Sequence, residues 1–517
     1  MDDRLHEFGE MPGYEFDAPR GSAWPGPVVG GGERRRQTWP QQPPSEPPWP
    51  PRRPAPPWQA PPWQAPPEAD SAAGPGRSAV LARDTLAAMR ARNWITSLAA
   101  PVLAAVAVGV AGVLLLGANN GGDAGAPSAL AAGFPPARSA AADFGGGGRP
   151  VEVSAIAAAG ATEVAVGAAN RGCALWVSAD GGSTWHRAAL TPPAAGGASA
   201  GQLDGVAHGP SGWLAVGGAS AVTTGTAAAS PAVVSSPDGR SWTTEGSLAA
   251  FDGPGRVVTS AVAAGPGGYV IVGHASTGTR TVAAAWYAQG LTGWRRAAGA
   301  RPGALEGPGN RAMNAVSATS RGFVAVGAAG ERPAAWVSGT GRTWTLVTLA
   351  LPADAASAAF DYVAANGGMV AAVGTEVTAA GQRRPFAAVS TDAGATWTQA
   401  QLPLPLGAGS ATAASAVAAS ATALTAAGGG FTATGTYGPP GETDVVVWTL
   451  PAGAAEGAAW TEVAPQGPGL TGPGMQAITA LTATGATLTG VGFTATSAAT
   501  PESMVTEPTI WQSPIRS

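Results

Sequence analysis

The chain has 517 residues, too many for one ordinary domain, and its composition excludes several classes of protein. The net charge is −4 and only 12% of the residues are charged, so no basic surface for nucleic acid is expected. Cys173 is the only cysteine and the four histidines are scattered, so we predict no internal disulfide, metal site or cofactor. The lysine-free, Ala- and Gly-rich composition is typical of a GC-rich bacterial genome.

Residues 1–92 are rich in proline, glycine and tryptophan, and they include the sequence Pro-Pro-Trp-Gln-Ala twice in tandem, at 56–60 and 61–65. Proline fixes φ and removes a hydrogen-bond donor, so this stretch cannot build a core. We predict a disordered cytoplasmic tail with polyproline II character. Two interpretations remain open: a flexible tail, or a docking site for a cytoplasmic partner with Trp58 and Trp63 as anchors.

An uncharged run of 23 residues, Trp94–Leu116, follows the tail. About 20 helical residues cross a bilayer, so we predict a transmembrane signal anchor over 93–117 and a linker over 118–128. The arginines that precede the run are Arg83, Arg90 and Arg92. The positive-inside rule then places the N-terminus in the cytoplasm and everything after the helix outside the cell membrane.

From residue 129 onward, seven short apolar runs end in the same glycine. The glycines are Gly167, Gly217, Gly273, Gly327, Gly374, Gly435 and Gly492. Ten residues before the residue that precedes each glycine stands another apolar residue; these are Ile156, Val206, Val262, Val316, Val363, Leu424 and Leu481. A constant offset between two β-type runs indicates a hairpin of fixed register.

Each hairpin continues into a third run, which carries a large or β-branched residue. From one unit to the next, these third-run residues are 50 to 63 positions apart. These residues are Trp176, Val233, Trp286, Trp336, Phe386, Trp448 and Trp511. Four short strands per unit and seven units predict an all-β, seven-bladed β-propeller over 129–517. The seventh unit lacks a fourth strand, and we expect Phe134–Ser139 to supply it and close the ring.

The turn after the third run has a recurring sequence, Ser-Ala-Asp-Gly-Gly-Ser-Thr-Trp at 178–185. It returns at 390–397 and in a shorter form at 236–242, and it resembles the Asp-box (BNR) repeat of sialidase-like β-propellers. Glycine there can take φ > 0, and Ser and Asp oxygens can hold backbone N–H groups. We therefore assign a structural role to Ser178, Asp180, Gly182, Trp185, Asp238, Trp242, Ser390, Asp392, Gly394 and Trp397. The resemblance implies that these turns lie on the face opposite the active site.

Two residues before the first apolar position of every unit stands a small polar residue. The seven are Ser154, Asp204, Ser260, Asn314, Asp361, Thr422 and Thr479. In a propeller the first strand lines the central channel, so these residues are expected to ring its mouth. They either cap backbone groups or bind a ligand, and Asp204 and Asp361 are the positions where ligand binding is most plausible.

Sialidases, which the repeat resembles, use an arginine triad, a tyrosine nucleophile with a glutamate partner, and an aspartate acid/base. They also carry an Arg-Ile-Pro motif, which this sequence lacks, so we assign no catalytic residue. The favoured interpretation is a non-catalytic extracytoplasmic binding or scaffold propeller whose ligand is a protein, a peptide or an envelope glycan. The alternatives are a sialidase-like or other glycoside hydrolase at the cell envelope, and a purely structural envelope protein.

Overall fold

The computed structural model describes residues 138–139, 144, 151–169, 172–191, 200–219, 231–245, 248–253, 255–278, 280–405, 418–439, 441–454, 459–463, 469–495 and 506–515. The predicted tail, transmembrane segment and linker lie outside these residues, as does Phe134. Within the part of the chain that the structure describes, no helix has both the length and the apolar character that crossing a bilayer requires.

The described residues form seven separate β-sheets in chain order, which we number I to VII. The first strand in the chain is β1 (Arg138–Ser139). Sheet I contains β2 (Val151–Ala159), β3 (Thr162–Ala169), β4 (Gly172–Ser178) and β5 (His186–Arg187). Sheet II contains β6 (Ala189–Thr191), β7 (Ala200–Gly209), β8 (Gly212–Ala219), β9 (Pro231–Ser236) and β10 (Ser241–Thr244). A 3-10 turn, Ala249–Phe251, precedes sheet III, which contains β11 (Val257–Gly265), β12 (Gly268–Thr277), β13 (Arg280–Ala288) and β14 (Arg295–Arg296).

The remaining four sheets repeat this pattern. Sheet IV contains β15 (Ala298–Gly299), β16 (Arg311–Thr319), β17 (Gly322–Ala329), β18 (Arg332–Ser338) and β19 (Thr343–Thr348). Sheet V contains β20 (Ala355–Asn366), β21 (Met369–Thr378), β22 (Arg383–Ser390) and β23 (Thr398–Gln401). Sheet VI contains β24 (Ala418–Ala427), β25 (Gly430–Gly438), β26 (Asp444–Leu450) and β27 (Thr461–Val463). Sheet VII contains β28 (Met475–Thr484), β29 (Thr487–Ala495) and β30 (Thr506–Pro514).

The sheets are arranged around a common axis. The seven strands β2, β7, β11, β16, β20, β24 and β28 each contact the equivalent strand of both neighbouring sheets, so they form a closed inner ring. Sheet VII takes β1 as its outer strand, with Arg138 opposite Ile510 and Ser139 opposite Thr509. The fold is a seven-bladed β-propeller with four-stranded blades, as the repeats predict.

Two blades have a fifth strand that the repeats did not predict. Strand β6 leaves blade I and pairs in parallel with the outer strand of blade II, placing Leu190 opposite Trp242. Strand β15 leaves blade III and pairs in the same way with the outer strand of blade IV. Both short strands cover an outer edge that would otherwise present unpaired backbone groups.

A β-bulge at the same place in each inner strand explains the constant spacing of the repeats. In β2 the pairing moves from Val153 opposite Gly167 to Ala155 opposite Val166, so Ser154 is an extra residue. The same shift occurs in the other six inner strands. A Cβ on Gly167 would overlap the carbonyl oxygen of Glu152, and all seven repeat glycines face such a carbonyl. The bulge brings the backbones together, and only glycine fits opposite it.

The hydrophobic core lies between the blades. Seven clusters occur among the described residues, and each joins two neighbouring blades. The predicted third-run residues all lie on the third strand of their blade, and each is at most 1% exposed. Several tryptophans among them also donate from Nε1 to a carbonyl of the segment before their own blade, for example Trp286 to Ala250 at 2.8 Å and Trp448 to Pro403 at 2.7 Å. Each such bond fixes a blade to the connection that leads into it.

Candidate functional site

The Asp-box turns are held by a network of side-chain and backbone hydrogen bonds. The Ser178 hydroxyl donates to Asp180 at 2.7 Å and accepts from the Gly182 amide at 2.8 Å. Trp185 Nε1 then donates to the carbonyl of Gly182 at 3.0 Å, so the tryptophan closes the turn. The same bonds occur in the turns of Ser390 and Ser236, and the serine and tryptophan bonds recur around Ser338, where no aspartate is present.

The Asp-box carboxylates accept hydrogen bonds from backbone amides of their own turns. The side-chain hydroxyl and then the backbone amide of Thr184 lower the pKa of Asp180 to about 2. Backbone amides of the turn, that of Ser241 first, also lower the pKa of Asp238. For Asp392, desolvation opposes the shift, but hydrogen bonds from Thr396 outweigh it and its pKa is lowered as well. These carboxylates remain ionised at any ordinary pH and hold the turn.

The Asp-box turns and the starts of the inner strands lie at opposite ends of the blades. Strand β4 ends at Ser178, beside the turn between β2 and β3, where the Gly181 amide donates to Ala161 at 2.9 Å. We call this side the Asp-box face and the opposite side, where each inner strand begins, the upper face. The seven bulges lie in the inner strands, away from the Asp-box turns.

The structure places all seven predicted ring residues at one structural position. Ser154, Asp204, Ser260, Asn314, Asp361, Thr422 and Thr479 are the bulge residues of their inner strands. Ser154 is buried and the other six are half-buried. The seven inner strands surround the axis and each has its bulge at the same place, so these positions form a ring around the axis.

Three ring residues donate to the next blade. Asn314 Nδ2 donates to the carbonyl of Phe360 at 2.8 Å. The hydroxyls of Thr422 and Thr479 donate to the carbonyls of Ile478 and Val153 at 2.6 Å and 2.7 Å. In every case the acceptor is the residue before the bulge of the following blade, so these side chains join neighbouring inner strands. The bond from Thr479 joins blade VII to blade I and therefore crosses the ring closure.

The other ring residues make different contacts. Ser154 Oγ accepts from Gln202 Nε2 at 3.1 Å, and the same amide also donates to Glu152. Asp361 Oδ2 accepts from the Thr375 hydroxyl at 3.2 Å. A carboxylate has no proton to donate, so an ionised aspartate at this position cannot make the bond to the next carbonyl that Asn314 makes.

A second candidate site, which the sequence did not indicate, is a cleft of about 270 Å³ on the upper face. It lies where β11 begins, β12 ends and β13 begins, next to blade IV. The lining residues are Gly253, Gly255, Val257, Ala275, Arg280, Val282, Arg296 and Glu306. The arginines belong to one blade and have no counterparts at a constant offset, so a comparison of the repeats does not reveal them.

A buried carboxyl group lies at the junction of blades I and VII. Glu163 is fully buried, and Oε1 accepts hydroxyl bonds from Thr484 at 2.6 Å and Thr489 at 3.1 Å. Its other oxygen, Oε2, has no hydrogen-bond partner. Burial raises the pKa of Glu163, and the two hydroxyls offset this only in part. Within the described ranges, no three His, Cys, Asp or Glu side chains come together as a metal site.

No family model and no curated protein matches the chain. Solved structures do resemble it. One is described as "YCF48 bound to D1 peptide"; it is 13% identical, with a TM-score of 0.38, over 74% of this chain and 94% of that one. A six-bladed fucose-binding lectin from Aleuria aurantia is 13% identical, with a TM-score of 0.33, over 60% of this chain and 93% of the lectin chain. The NanB sialidase from Streptococcus pneumoniae is 10% identical, with a TM-score of 0.35, over 69% and 66%. At such identities the similarity concerns the fold alone.

Proposed function

We propose that this protein is a non-catalytic binding or scaffold propeller that faces the outside of the cell membrane. Residues 93–117 anchor it, residues 1–92 form the cytoplasmic tail, and the ligand is a protein, a peptide or an envelope glycan. The observation that carries the proposal is the position of Asp204 and Asp361 in the ring of bulge residues.

Three ring residues that carry a donor, Asn314, Thr422 and Thr479, donate hydrogen bonds to the next blade. Asn314 is the closest comparison, because its amide donates to the next blade from the same bulge position. A carboxylate of similar size presents only acceptors there. Asp204 and Asp361 place two half-buried carboxyl groups on the inner ring, and both also have contacts within the protein, with Thr375 in the case of Asp361. Carboxyl groups suit a ligand with hydroxyl or ammonium groups.

The test compares Asp204→Asn and Asp361→Asn with the wild-type full chain, purified in detergent. Binding to a glycan array and to solubilised envelope proteins is measured together with the melting temperature. If the aspartates serve a ligand, we expect binding to fall while the melting temperature stays equal or rises, because asparagine can adopt the inter-blade bond. Thr422→Ser keeps the hydroxyl and is the matched control. Unchanged binding by both variants would refute a ligand role for the ring.

The membrane arrangement is tested separately by protease added to intact cells. We expect cleavage of an epitope tag at the C-terminus and protection of a tag at the N-terminus, as the positive-inside rule requires. Protection of both tags, or release of the full chain by a salt wash, would contradict the proposed anchor.

A further inference from the structure

The cleft on the upper face of blade III is positively charged. Arg280 and Arg296 line it, and Arg311 lies close enough for its charge to interact with that of Arg280. Glu306 is the one carboxylate among the lining residues of the described structure. This concentration of positive charge contrasts with the net charge of −4 of the whole chain.

The contacts of the arginines are with neutral groups. Arg280 donates to the carbonyl of Gly307, while the guanidinium of Arg296 lies 5.9 Å from the centre of the Trp286 ring. Arg311 donates to the carbonyls of Ala304 at 3.3 Å and Glu306 at 3.1 Å. Within the described residues, no carboxylate pairs with Arg280 or Arg296. Guanidinium groups held this way keep N–H donors available for an oxyanion.

The other residues that line the cleft indicate which chemical groups of the ligand lie next to its anionic group. Glu306 is an exposed acceptor beside two cations, so it repels a bare carboxylate or phosphate but accepts hydrogen bonds from hydroxyl groups. Val257 and Val282 add apolar surface for C–H groups. The volume of about 270 Å³ lies below the ~300–1,000 Å³ of pockets for drug-sized ligands, so it suits a single sugar residue.

We infer that this cleft binds a uronate residue of an acidic polysaccharide. The sugar carboxylate contacts Arg280 and Arg296, vicinal hydroxyls donate to Glu306, and the C–H face packs on the two valines. This deepens the proposed function by naming a ligand class, and it rests on the propeller being a binding module. The site is separate from the ring of bulge residues.

The test measures binding of oligogalacturonate to the detergent-purified full chain by isothermal titration calorimetry, with neutral galactan oligomers as the comparison. We expect binding of the charged oligomer only. Arg296→Gln and Arg280→Gln should each weaken it about 10-fold or more, because each removes a charge-assisted hydrogen bond. Arg332→Gln is the matched control, since Arg332 is exposed and begins the third strand of blade IV as Arg280 does in blade III. Equal losses in the control and the cleft variants would overturn the assignment.

Glu306→Gln separates a uronate from other anions. Loss of the Glu306 charge should leave oligogalacturonate binding unchanged or weaken it, because a neutral amide is a poorer acceptor for the sugar hydroxyls. The same substitution should tighten binding of poly-glutamate, which offers no hydroxyl groups to Glu306. Tighter oligogalacturonate binding by Glu306→Gln, or preference of the wild type for poly-glutamate or phosphate, would refute the uronate proposal.

The outcomes also distinguish this site from the proposed function. Ligand binding that depends on Asp204 or Asp361, with no response to oligogalacturonate, would overturn the cleft and leave the binding module intact. Oligogalacturonate binding that depends on Arg296 and not on either aspartate would support the cleft, and the binding test of Asp204→Asn and Asp361→Asn would decide the ring.

Discussion

The repeat glycines can be tested at two adjacent positions of β8, Gly217 and Gly218. Gly217 lies opposite the bulge of blade II, where an added Cβ would overlap the carbonyl oxygen of Gln202 and lie 2.6 Å from Leu203 Cα. An added Cβ on Gly218 meets no atom within 4 Å. The substitutions Gly217→Ala and Gly218→Ala therefore add the same methyl group to one strand, and only the first meets the bulge.

The expected difference follows from these distances. Real Cβ atoms essentially never approach another heavy atom closer than 3.0 Å, and the atoms that Gly217→Ala meets belong to the backbone and cannot rotate away. Overpacking of this kind costs about 1–3 kcal/mol of the free energy of unfolding. Gly218→Ala should be neutral or stabilising by up to about 1 kcal/mol, because it reduces the entropy of the unfolded chain.

The assay is urea unfolding of the full-length variants, followed by tryptophan fluorescence from the 18 tryptophans. We expect the midpoint of Gly217→Ala to fall clearly below that of the wild type, and the midpoint of Gly218→Ala to equal or exceed it. Equal midpoints for the two variants would show that the bulge does not require glycine. The account of the repeat spacing would then be wrong.

Two further predictions concern pH. The hydrogen bonds that lower the pKa of Asp180 to about 2, those from Thr184 first, contribute stability that is complete above the unfolded pKa of about 4. This contribution disappears as the pH falls through about 2, so Asp180→Asn should flatten that part of the stability profile. The stability contribution of Glu163 has the opposite pH dependence. Because burial raises the pKa of Glu163 in the folded state, its contribution to stability is complete below the unfolded pKa of about 4.3 and is lost as the pH rises through the folded pKa. Glu163→Gln should therefore be more stable than the wild type at pH 7 by urea midpoint, and a variant that keeps the wild-type pH slope would contradict this.

The sequence by itself determined the features that repeat along the chain. Seven glycines, seven polar residues and the Asp-box turns stand at nearly constant offsets, because each bulge, hairpin and turn is made by residues close together in sequence. The number of blades and the ring of bulge residues could therefore be predicted. The sequence did not explain why the repeat residue is glycine, because the carbonyl that would clash with a Cβ there is brought close by the bulge, which the sequence pattern did not predict.

Only the tertiary structure decided the contacts that join distant segments. Thr484 and Glu163 are 321 positions apart in sequence and meet because the ring closes. The cleft brings together Arg280, Arg296 and Glu306, which belong to separate segments around blade III and follow no period. Periodic patterns encode local geometry, whereas closure and clefts depend on how whole blades pack, and no offset along the chain records that packing.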